Sequence, residues 1–454
     1  MKKQIRLVAL LCVAILVFGL AGCGSANRDP AADGTDLGGR NFKILINSWS
    51  APDLTDEKNS FAQTAKKYNC TFTFEEFSDE IGTYNELVLS YLSGKASCDA
   101  LVMRGYNVCP TYSASGVILN MSEYHDFAQD ATWQNDLVKD MGVWRGNRYG
   151  LPVTPKQTGY GIWYNRKLLA DANIPDLWDY VDKGEWTFQT FRDVLKKLTV
   201  QTGANKRYGF YSEDMISNFI LANGGTFIDD SGDAAKLMID DPKAITAMEY
   251  LVELTNTDKT VPTETTVEEL GSPFVLDMMA DGQVAMTAYD AWGGPYLQNK
   301  GIDPENLGWV YWPQGPDATE NIVPGATPSR MMVIPAKAEK PGEIVEVLAD
   351  ALGFWGEGKA YPRAIESAYD AVLEDDQMLD IMVGNNKKCY LEGAARTRYS
   401  NLCNYEGINS VYSEMKEKIA KNELSPKAAV DAYFAKIQSK MEIIENGINL
   451  EDYQ

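Results

Sequence analysis

The chain has 454 residues, enough for two domains with cores of their own, and 45% of them are hydrophobic, as in a globular protein. Its 64 acidic residues outnumber its 42 basic residues, which gives a formal net charge of -22. So acidic a chain is a poor partner for nucleic acid or for anionic lipid, and we expect neither as a ligand.

The N-terminus has the pattern of a cleaved export signal. Three cations precede an apolar run from Leu7 to Gly22 that is too short and too sharply ended for a membrane span. The run closes on Leu-Ala-Gly-Cys, the pattern of a bacterial lipobox, so residues 1–22 are predicted to be removed and Cys23 to be lipidated. Residues 23–40 are small and polar and predict a flexible tether. We therefore expect an exported protein, anchored by lipid to the outer face of the cytoplasmic membrane.

Histidine and cysteine usage restricts the chemistry of the chain. His125 is the only histidine, and its polar neighbours predict a surface position. A histidine-built zinc site is excluded, and we predict no metal site and no cofactor. Five cysteines follow Cys23 without a CxxC pair, namely Cys70, Cys98, Cys109, Cys389 and Cys403. The pairs nearest in sequence are Cys98 with Cys109 and Cys389 with Cys403, but a large core needs no disulfide and we expect mostly buried thiols.

Strand and helix patterns alternate at the start of the folded region. Strands are predicted at Asn41–Trp49, Cys70–Phe77 and Asp99–Met103, with helices at Lys58–Tyr68 and Tyr84–Leu92 between them. This alternation predicts a mainly parallel sheet with helices on its faces. The loops after the strands of such a sheet face the ligand crevice. Four residues are predicted there as ligand contacts: Trp49, Asp53, Tyr106 and Asn107.

A second region begins where prolines and glycines break the pattern, at Arg148–Asn165. Beyond it, Thr187 is a predicted N-cap for a helix whose apolar face continues to Leu198. A turn and a short strand follow at Asp281–Trp292, and an extended crossing is predicted at Trp309–Pro316. Three helices are predicted after that crossing, with apolar faces at Ile344–Trp355, Ile408–Ile419 and Val430–Ile444; the last of these begins at Ser425 and Pro426.

Four stretches in this order carry a resemblance to a known family. They are YGLPVTPKQTGYGIWYNRKLLADANIP, EWTFQTFRDVLKKLT, ANGGTF and DGQVAMTAYDAW. With the lipobox before them, the chain resembles the extracellular solute-binding proteins of bacterial ABC importers, in the carbohydrate-binding, maltose-binding-protein-like family (family 1). The resemblance covers nearly all of residues 40–454.

The resemblance implies a type II α/β fold of two lobes, each a mainly parallel sheet flanked by helices, with a sugar bound in the hinged cleft between them. The crossings would fall near Leu151–Pro155, near Trp312–Pro316 and around residue 370. Lobe 1 would then consist of residues 41–152 and 313–368, and lobe 2 of residues 153–312 and 369–454. The implied partners are a carbohydrate and the transmembrane subunits of an ABC permease, and we expect a monomer.

Sugars bind through aromatic rings and through planar polar groups. The matching family position for a stacking ring is Trp292, with Tyr289 and Asp290 beside it. Gln157 lies where family members place a cleft carboxylate, and this departure weighs against a maltodextrin preference. Glu213 and Asp214 are candidates for the missing carboxylate. Arg330 enters a strand from a proline turn and is a further candidate for the cleft.

Other functions stay open at this stage. A surface-anchored glycoside hydrolase also needs carboxylates and aromatic rings in a cleft. Against an enzyme, the order of motifs is that of importers, and the sequence contains no GxSxG, Walker A or HExxH motif. A binding protein for a non-sugar polar solute, or one that presents its ligand to a sensor kinase, has the same fold. The leading interpretation is a binding protein without catalytic residues that delivers a sugar or oligosaccharide to an importer.

Overall fold

The structure is a computed structural model. It describes residues 35–47, 52–77, 88–95, 97–105, 108–134, 138–153, 160–203, 206–263, 266–267, 270–271, 274–290, 293–324, 330–353, 389–390, 399 and 407–449.

Short strands dominate the β structure. In chain order they are β1 (Arg40–Asn47), β2 (Cys70–Phe77), β3 (Ala100–Met103), β4 (Val143–Trp144), β5 (Asn147–Arg148), β6 (Leu151–Pro152), β7 (Gly161–Asn165), β8 (Tyr208–Tyr211), β9 (Ile228–Asp229), β10 (Lys236–Leu237), β11 (Val284–Tyr289), β12 (Leu307–Val310), β13 (Val323–Pro324), β14 (Met331–Val333) and β15 (Cys389–Tyr390).

The helices alternate with these strands and become longer towards the C-terminus. They are α1 (Ser60–Tyr68), α2 (Arg166–Asp171), α3 (Leu177–Asp182), α4 (Phe188–Leu198), α5 (Met215–Ala222), α6 (Pro242–Val252), α7 (Val275–Ala280), α8 (Gly293–Asn299), α9 (Pro341–Ala351), α10 (Asn409–Ala420) and α11 (Pro426–Glu445). Single helical turns lie at Val108–Tyr112, Met121–Glu123, Glu253–Thr257 and Pro304–Asn306.

The larger elements form where sequence signals predict them. The Thr187 side chain accepts a hydrogen bond from the Thr190 N–H and caps α4. All five apolar residues of the predicted α4 face are buried, namely Phe188, Phe191, Val194, Leu195 and Leu198. Ser425 caps α11 in the same way, with Pro426 in the first turn. These caps satisfy backbone donors that the first helical turn leaves without partners.

Two sheets of four and five strands organise the fold. The first has the strand order β2-β1-β3-β14-β6, and the second has the order β12-β7-β11-β8. Both have helices packed against them, and the predicted two-lobe α/β class is confirmed. Three two-stranded pairs complete the β structure of the described residues: β4 with β5, β9 with β10, and β13 with β15.

Both sheets are mixed, and the expectation of mainly parallel sheets is wrong in this detail. In the first sheet β1 runs parallel to β2 and β3, whereas β14 runs antiparallel to β3 and to β6. In the second, β8 and β11 are parallel, and β7 is antiparallel to β11 and to β12. The reason is the crossing of the chain between sheets. A strand that enters a sheet at the carboxyl edge has to run back from that edge, as β7 and β14 do.

The chain segment between the two sheets is held on both sides. Residues 312–322 keep bonds to the helices around the second sheet, since Gln314 N–H donates to the Trp186 carbonyl and Gly315 N–H to the Ala222 carbonyl, both at 2.9 Å. Arg330 is the next described residue after Pro324 and directly precedes β14 of the first sheet. The crossing near Trp312–Pro316 stays a prediction. The third predicted crossing, around residue 370, lies outside the described residues.

The end of α11 contacts both layers. Its Glu445 carboxylate accepts from the Ala235 N–H at 3.1 Å, beside β10. Three residues later, the Ile448 N–H donates to the Ser115 hydroxyl at 3.1 Å, and the Ile448 side chain is buried. The C-terminal helix therefore ties residues from the first and the second half of the chain together.

The cysteines and the histidine occupy mostly interior positions. Cys70, Cys98 and Cys109 are reduced, so Cys98 and Cys109 are not bridged to one another. Burial raises the pKa of the Cys98 thiol to about 12, which keeps it protonated. His125 is half-buried rather than at the surface, because its ring packs on Phe127 at 4.5 Å. The side chains of Cys389 and Cys403 lie outside the described residues.

Candidate functional site

The carboxyl edge of the second sheet collects polar and aromatic residues. The strands β8 and β11 are parallel and end at Tyr211 and Tyr289, with Tyr211 paired to Thr287. The antiparallel strand β7 begins at the same edge, since Gly161 pairs with Tyr289. Residues directly after β8 and β11 and directly before β7 therefore lie together.

Five of these residues form what we call the tyrosine–carboxylate cluster: Tyr160, Glu213, Asp214, Tyr289 and Asp290. The rings of Tyr160 and Tyr289 meet edge to face at 5.6 Å between centroids. Burial raises the pKa of the Tyr160 hydroxyl well above its usual range. Among the neighbouring charged groups, the Asp290 carboxylate raises this pKa the most. Smaller contributions come from Glu213 and Asp214, so all three carboxylates lie within electrostatic reach of one hydroxyl.

The hydrogen-bonding capacity of the cluster follows from these protonation states. Burial, and then the charge of Asp290, also raises the pKa of Tyr289 well above its usual range. Both tyrosines stay protonated and can donate a hydrogen bond, while ionised carboxylates only accept. Rings, donors and acceptors are thus concentrated on one surface. This is the set of groups that a polyhydroxylated ligand requires.

Glu213 lies two residues after β8. It is exposed as a residue, while burial raises the pKa of its carboxyl, with a further contribution from Asp214. Asp214 is held by a hydrogen bond of 3.0 Å from the Ser217 hydroxyl, in a backbone conformation with φ of 51°.

Three buried indoles fix the backbone of the cluster. Trp312 Nε1 donates to the Tyr160 carbonyl at 2.6 Å, Trp163 Nε1 to the Asp290 carbonyl at 3.0 Å, and Trp309 Nε1 to the Tyr289 carbonyl at 3.4 Å. The Trp309 ring packs directly against the backbone of Gly161. Only glycine leaves room for it, because a Cβ on this residue would lie 2.0 Å from the ring. The cluster is therefore positioned by rigid strands and packed rings rather than by a long loop.

The carboxyl edge of the first sheet carries Arg330. Met331 pairs with Met103 of β3 and with Pro152 of β6, so Arg330 directly precedes β14 at the edge where β3 and β6 end. Arg330 is 7% exposed, and burial lowers the pKa of its guanidinium. It offers five donors in a plane that suits hydroxyl and carboxylate oxygens.

Two backbone hydrogen bonds link neighbouring chain segments at these edges. The Val153 N–H donates to the Arg330 carbonyl at 3.4 Å beside the first sheet, and the Tyr160 N–H donates to the Pro324 carbonyl at 2.9 Å beside the second. Arg330 and Tyr160 each take part in one of these bonds.

The predicted site residues have different outcomes. Asp214, Tyr289 and Asp290 lie in the cluster, and Arg330 lies at the edge of the other sheet. Asp53 is exposed, and its carboxylate accepts bonds from the N–H and hydroxyl of Thr55, a local turn in which the pKa of Asp53 is lowered. Six predicted residues lie outside the described residues: Cys23, Trp49, Tyr106, Asn107, Gln157 and Trp292.

Sequence reasoning missed Tyr160. The residue precedes β7, and an expectation of parallel strands places functional residues after strands only. The available signal was the YGIWYN stretch. It predicts a strand directly after the crossing, so its first residue, Tyr160, lies at the edge where the chain enters the sheet. Glu213 is predicted as a substitute for the missing carboxylate, and its carboxyl has a pKa that burial raises.

Residues 51–353 match the model of a family described as bacterial extracellular solute-binding proteins. The chain belongs to this family. Its members bind solutes outside the cytoplasmic membrane for ABC transporters, so the interface between the sheets is the expected ligand position. A comparison with curated protein sequences finds no match.

Solved structures of solute-binding proteins share the fold. An ABC transporter protein from Thermotoga lettingae, bound with alpha-D-tagatose, is 18% identical, with a TM-score of 0.60 over 88% of this chain and 100% of that chain. The GacH receptor of Streptomyces glaucescens, solved unliganded and with acarbose, is 13% identical, with a TM-score of 0.60 over 89% and 99%. UgpB of Mycobacterium tuberculosis, in complex with glycerophosphocholine, is 15% identical, with a TM-score of 0.57 over 90% and 98%.

Among the residues that the structure describes, no helix combines the length and apolar character that a membrane span needs. In the same ranges, no group of histidine, cysteine and acidic side chains is arranged to hold a metal ion.

A Glu213→Gln variant tests the cleft environment of that carboxyl. Because its folded pKa lies above the usual 4.5, the folded state binds the proton more tightly than the unfolded chain does, and stability is lost as pH rises from 4.5 through the folded pKa. We expect the variant to escape this loss and to melt about 1–2 °C higher than the natural protein at pH 7.5, with little difference at pH 4. The measurement is thermal unfolding without ligand at both pH values.

The matched control is Glu249→Gln, on the exposed face of α6. It removes the same charge and is expected to leave the difference between the two pH values unchanged. Equal behaviour of the two variants would mean that net charge, and not the cleft, governs the effect.

Proposed function

We propose that the protein captures a sugar or oligosaccharide between its two sheets and delivers it to an ABC importer. The observation that carries the proposal is the tyrosine–carboxylate cluster at the carboxyl edge of the second sheet. Sugars present apolar C–H faces for aromatic rings and hydroxyls for carboxylates, tyrosine hydroxyls and guanidinium groups. The tagatose and acarbose complexes of proteins with the same fold support a carbohydrate ligand.

The unobserved candidates fit the same proposal. Trp292 follows Asp290 by two residues and is proposed as a stacking ring beside Tyr289. Trp49, Tyr106 and Asn107 follow β1 and β3, whose ends share the edge with Arg330, and are proposed as contacts from the first sheet. Gln157 lies in the first crossing and Asp53 in the loop after β1, and both remain proposed contacts.

We propose two lobes whose second boundary lies between Pro324 and Arg330 rather than at residue 313, because residues 312–324 bond to the second layer and to β15. Residues 41–152 and 325–368 would form lobe 1, and residues 153–324 and 369–454 would form lobe 2. Closure of such lobes around a ligand is a hinge motion with a few residues in the crossings. The monomer, the lipid anchor at Cys23 and the position outside the cytoplasmic membrane belong to the same proposal.

A hydrolase would also use carboxylates, and the cluster contains three. The proposal assigns them hydrogen bonds to sugar hydroxyls and no covalent step. This is in keeping with the substrate-binding role of the family. Recovery of the ligand unchanged after incubation distinguishes the two functions.

The test is a thermal-shift screen of the purified protein with monosaccharides and oligosaccharides, and with peptides, polyamines and glycerophosphocholine as comparison ligands. A ligand at one hundred times its dissociation constant stabilises the folded protein by about 2.7 kcal/mol. We expect stabilisation by one series of sugars, which chromatography then recovers intact. Consumption of the sugar would establish a hydrolase, and stabilisation by another class alone would replace the proposed ligand.

A further inference from the structure

A second cavity opens beside the cluster and has different chemistry. It has a volume of about 110 Å³, and we call it the side pocket. Its apolar walls come from α5, α6 and α10, chiefly through Met215, Met248, Leu251, Val252 and Ile419. An enclosed apolar cavity of 150 Å³ admits benzene, and the side pocket is smaller but open on one side. It therefore has room for a short alkyl group or for a small ring that is only partly enclosed.

Four hydroxyl groups at or beside the side pocket are already bonded within the protein. The Ser212 hydroxyl donates to the Glu213 carbonyl at 3.0 Å, the Thr255 hydroxyl donates to the Leu251 carbonyl at 3.0 Å, and the hydroxyls of Thr263 and Thr266 lie 2.9 Å apart. Asp214, Tyr412 and Lys416 add polar atoms to the wall, but apolar side chains make up the larger part of it. The side pocket is thus suited chiefly to an apolar group.

Apolar surface in the side pocket remains in contact with water. Met215, Leu251 and Val252 are each half-exposed at its walls. These side chains come from two helices and converge on one cavity, whereas isolated exposed apolar residues need no explanation. Covering them would remove apolar area from water at about 25 cal/mol per Å².

Asp214 connects the side pocket to the cluster. The residue is part of the pocket wall, and its charge contributes to the raised pKa of Tyr160. Tyr211 and Ser212, at the end of β8, continue the wall up to the same sheet edge. The side pocket thus shares Asp214 with the cluster and begins at the same end of β8.

We infer that the ligand is a glycoside with an apolar substituent, whose sugar binds at the tyrosine–carboxylate cluster and whose substituent enters the side pocket. This inference rests on the proposed function and narrows its substrate class. The substituent is the size of a phenyl ring or a short alkyl chain. Binding then requires both a polar and an apolar part in one molecule.

The test compares 4-nitrophenyl glycosides with the methyl glycosides of the same sugars, using calorimetry on the purified protein. The side chains of Met215 and Met248 report occupancy directly through ¹³C-methyl NMR, with signals assigned by Met→Leu exchange at each position. We expect the aryl glycoside of the preferred sugar to bind at least tenfold more tightly than the methyl glycoside. Only the aryl ligand should shift the two methionine signals.

Ala420→Phe places a ring at the wall of the side pocket, and Ser413→Phe places the same ring on the exposed face of α10. We expect Ala420→Phe to abolish the advantage of the aryl glycoside while methyl glycoside binding is retained, and Ser413→Phe to change neither. If Ala420→Phe does not fold, the NMR comparison on the natural protein decides alone.

The outcomes separate the two proposals. Equal affinities for aryl and methyl glycosides, with unshifted methionines, overturn the side pocket and leave sugar binding intact. No binding by any glycoside, together with methionine shifts from 4-nitrophenol alone, overturns the sugar proposal and with it the glycoside, leaving only an apolar site. If neither the glycosides nor 4-nitrophenol bind or shift the methionine signals, both the sugar proposal and the side pocket are overturned.

Discussion

Tyr289→Ala is expected to weaken ligand binding roughly 100-fold, or by about 2.8 kcal/mol, once the ligand is identified. The ring of Tyr289 forms the centre of the cluster: it contacts Tyr160 at 5.6 Å and Phe274 at 5.7 Å, each edge to face. Its removal deletes a ring and a hydroxyl donor that we propose as ligand contacts, and it removes the ring contact of Tyr160. The measurement is calorimetric titration with the ligand found by thermal shift.

The variant will also lose stability, because aromatic pairs contribute to folding. Tyr296→Ala controls for this loss. Tyr296 packs edge to face on the same Phe274 at 5.3 Å, but its hydroxyl bonds Asp277 on the helix layer. We expect Tyr296→Ala to lower the melting temperature by a comparable amount and to change affinity by less than about twofold. Equal losses of affinity in both variants would contradict a specific role for Tyr289.

Gly161→Ala is expected to lower the free energy of unfolding by about 3 kcal/mol or more. The added Cβ would lie 2.0 Å from the ring of Trp309. Relaxation is blocked, since β7 is hydrogen-bonded to β11 on one side and to β12 on the other, and Trp309 is fully buried. Chemical denaturation of the unliganded protein measures the effect.

Gly232→Ala is the matched substitution. The nearest atom to its new Cβ, the Ala234 carbonyl oxygen, lies 3.8 Å away, and no left-handed backbone conformation is involved. This variant is expected to remain within about 0.5 kcal/mol of the natural protein. A similarly small change for Gly161→Ala would mean that the strand and the indole can separate at little cost.

Local sequence patterns predicted the bounds and the buried faces of individual helices and strands well. The helix α4 follows from its Thr187 cap and from the spacing of its five buried residues, and β2 has the predicted bounds Cys70–Phe77. Strand direction is different, because it depends on where the chain enters a sheet. The antiparallel entry of β7 and β14 depends on two crossings, and no local pattern contains that information.

In the candidate site, too, residues at the end of a recognisable strand were predictable, and residues that depend on long-range pairing were not. Tyr289 and Asp290 were predictable because they end a strand that resembles a family motif. Tyr160 was not, because its importance arises from pairing between Gly161 and Tyr289, residues far apart in sequence. The raised pKa of Glu213 likewise depends on the protein that surrounds it in three dimensions. The side pocket combines helices from residues 215 to 420, and no stretch of sequence indicates it.

The three indoles that hold the cluster also make the protein its own optical reporter. Trp163, Trp309 and Trp312 each donate to a carbonyl of a cluster residue, so a ligand that moves Tyr160, Tyr289 or Asp290 also changes an indole hydrogen bond. Indole emission responds to the polarity and hydrogen bonding around the ring. We therefore expect a ligand bound at the proposed site to change the intrinsic fluorescence of the protein, without any label.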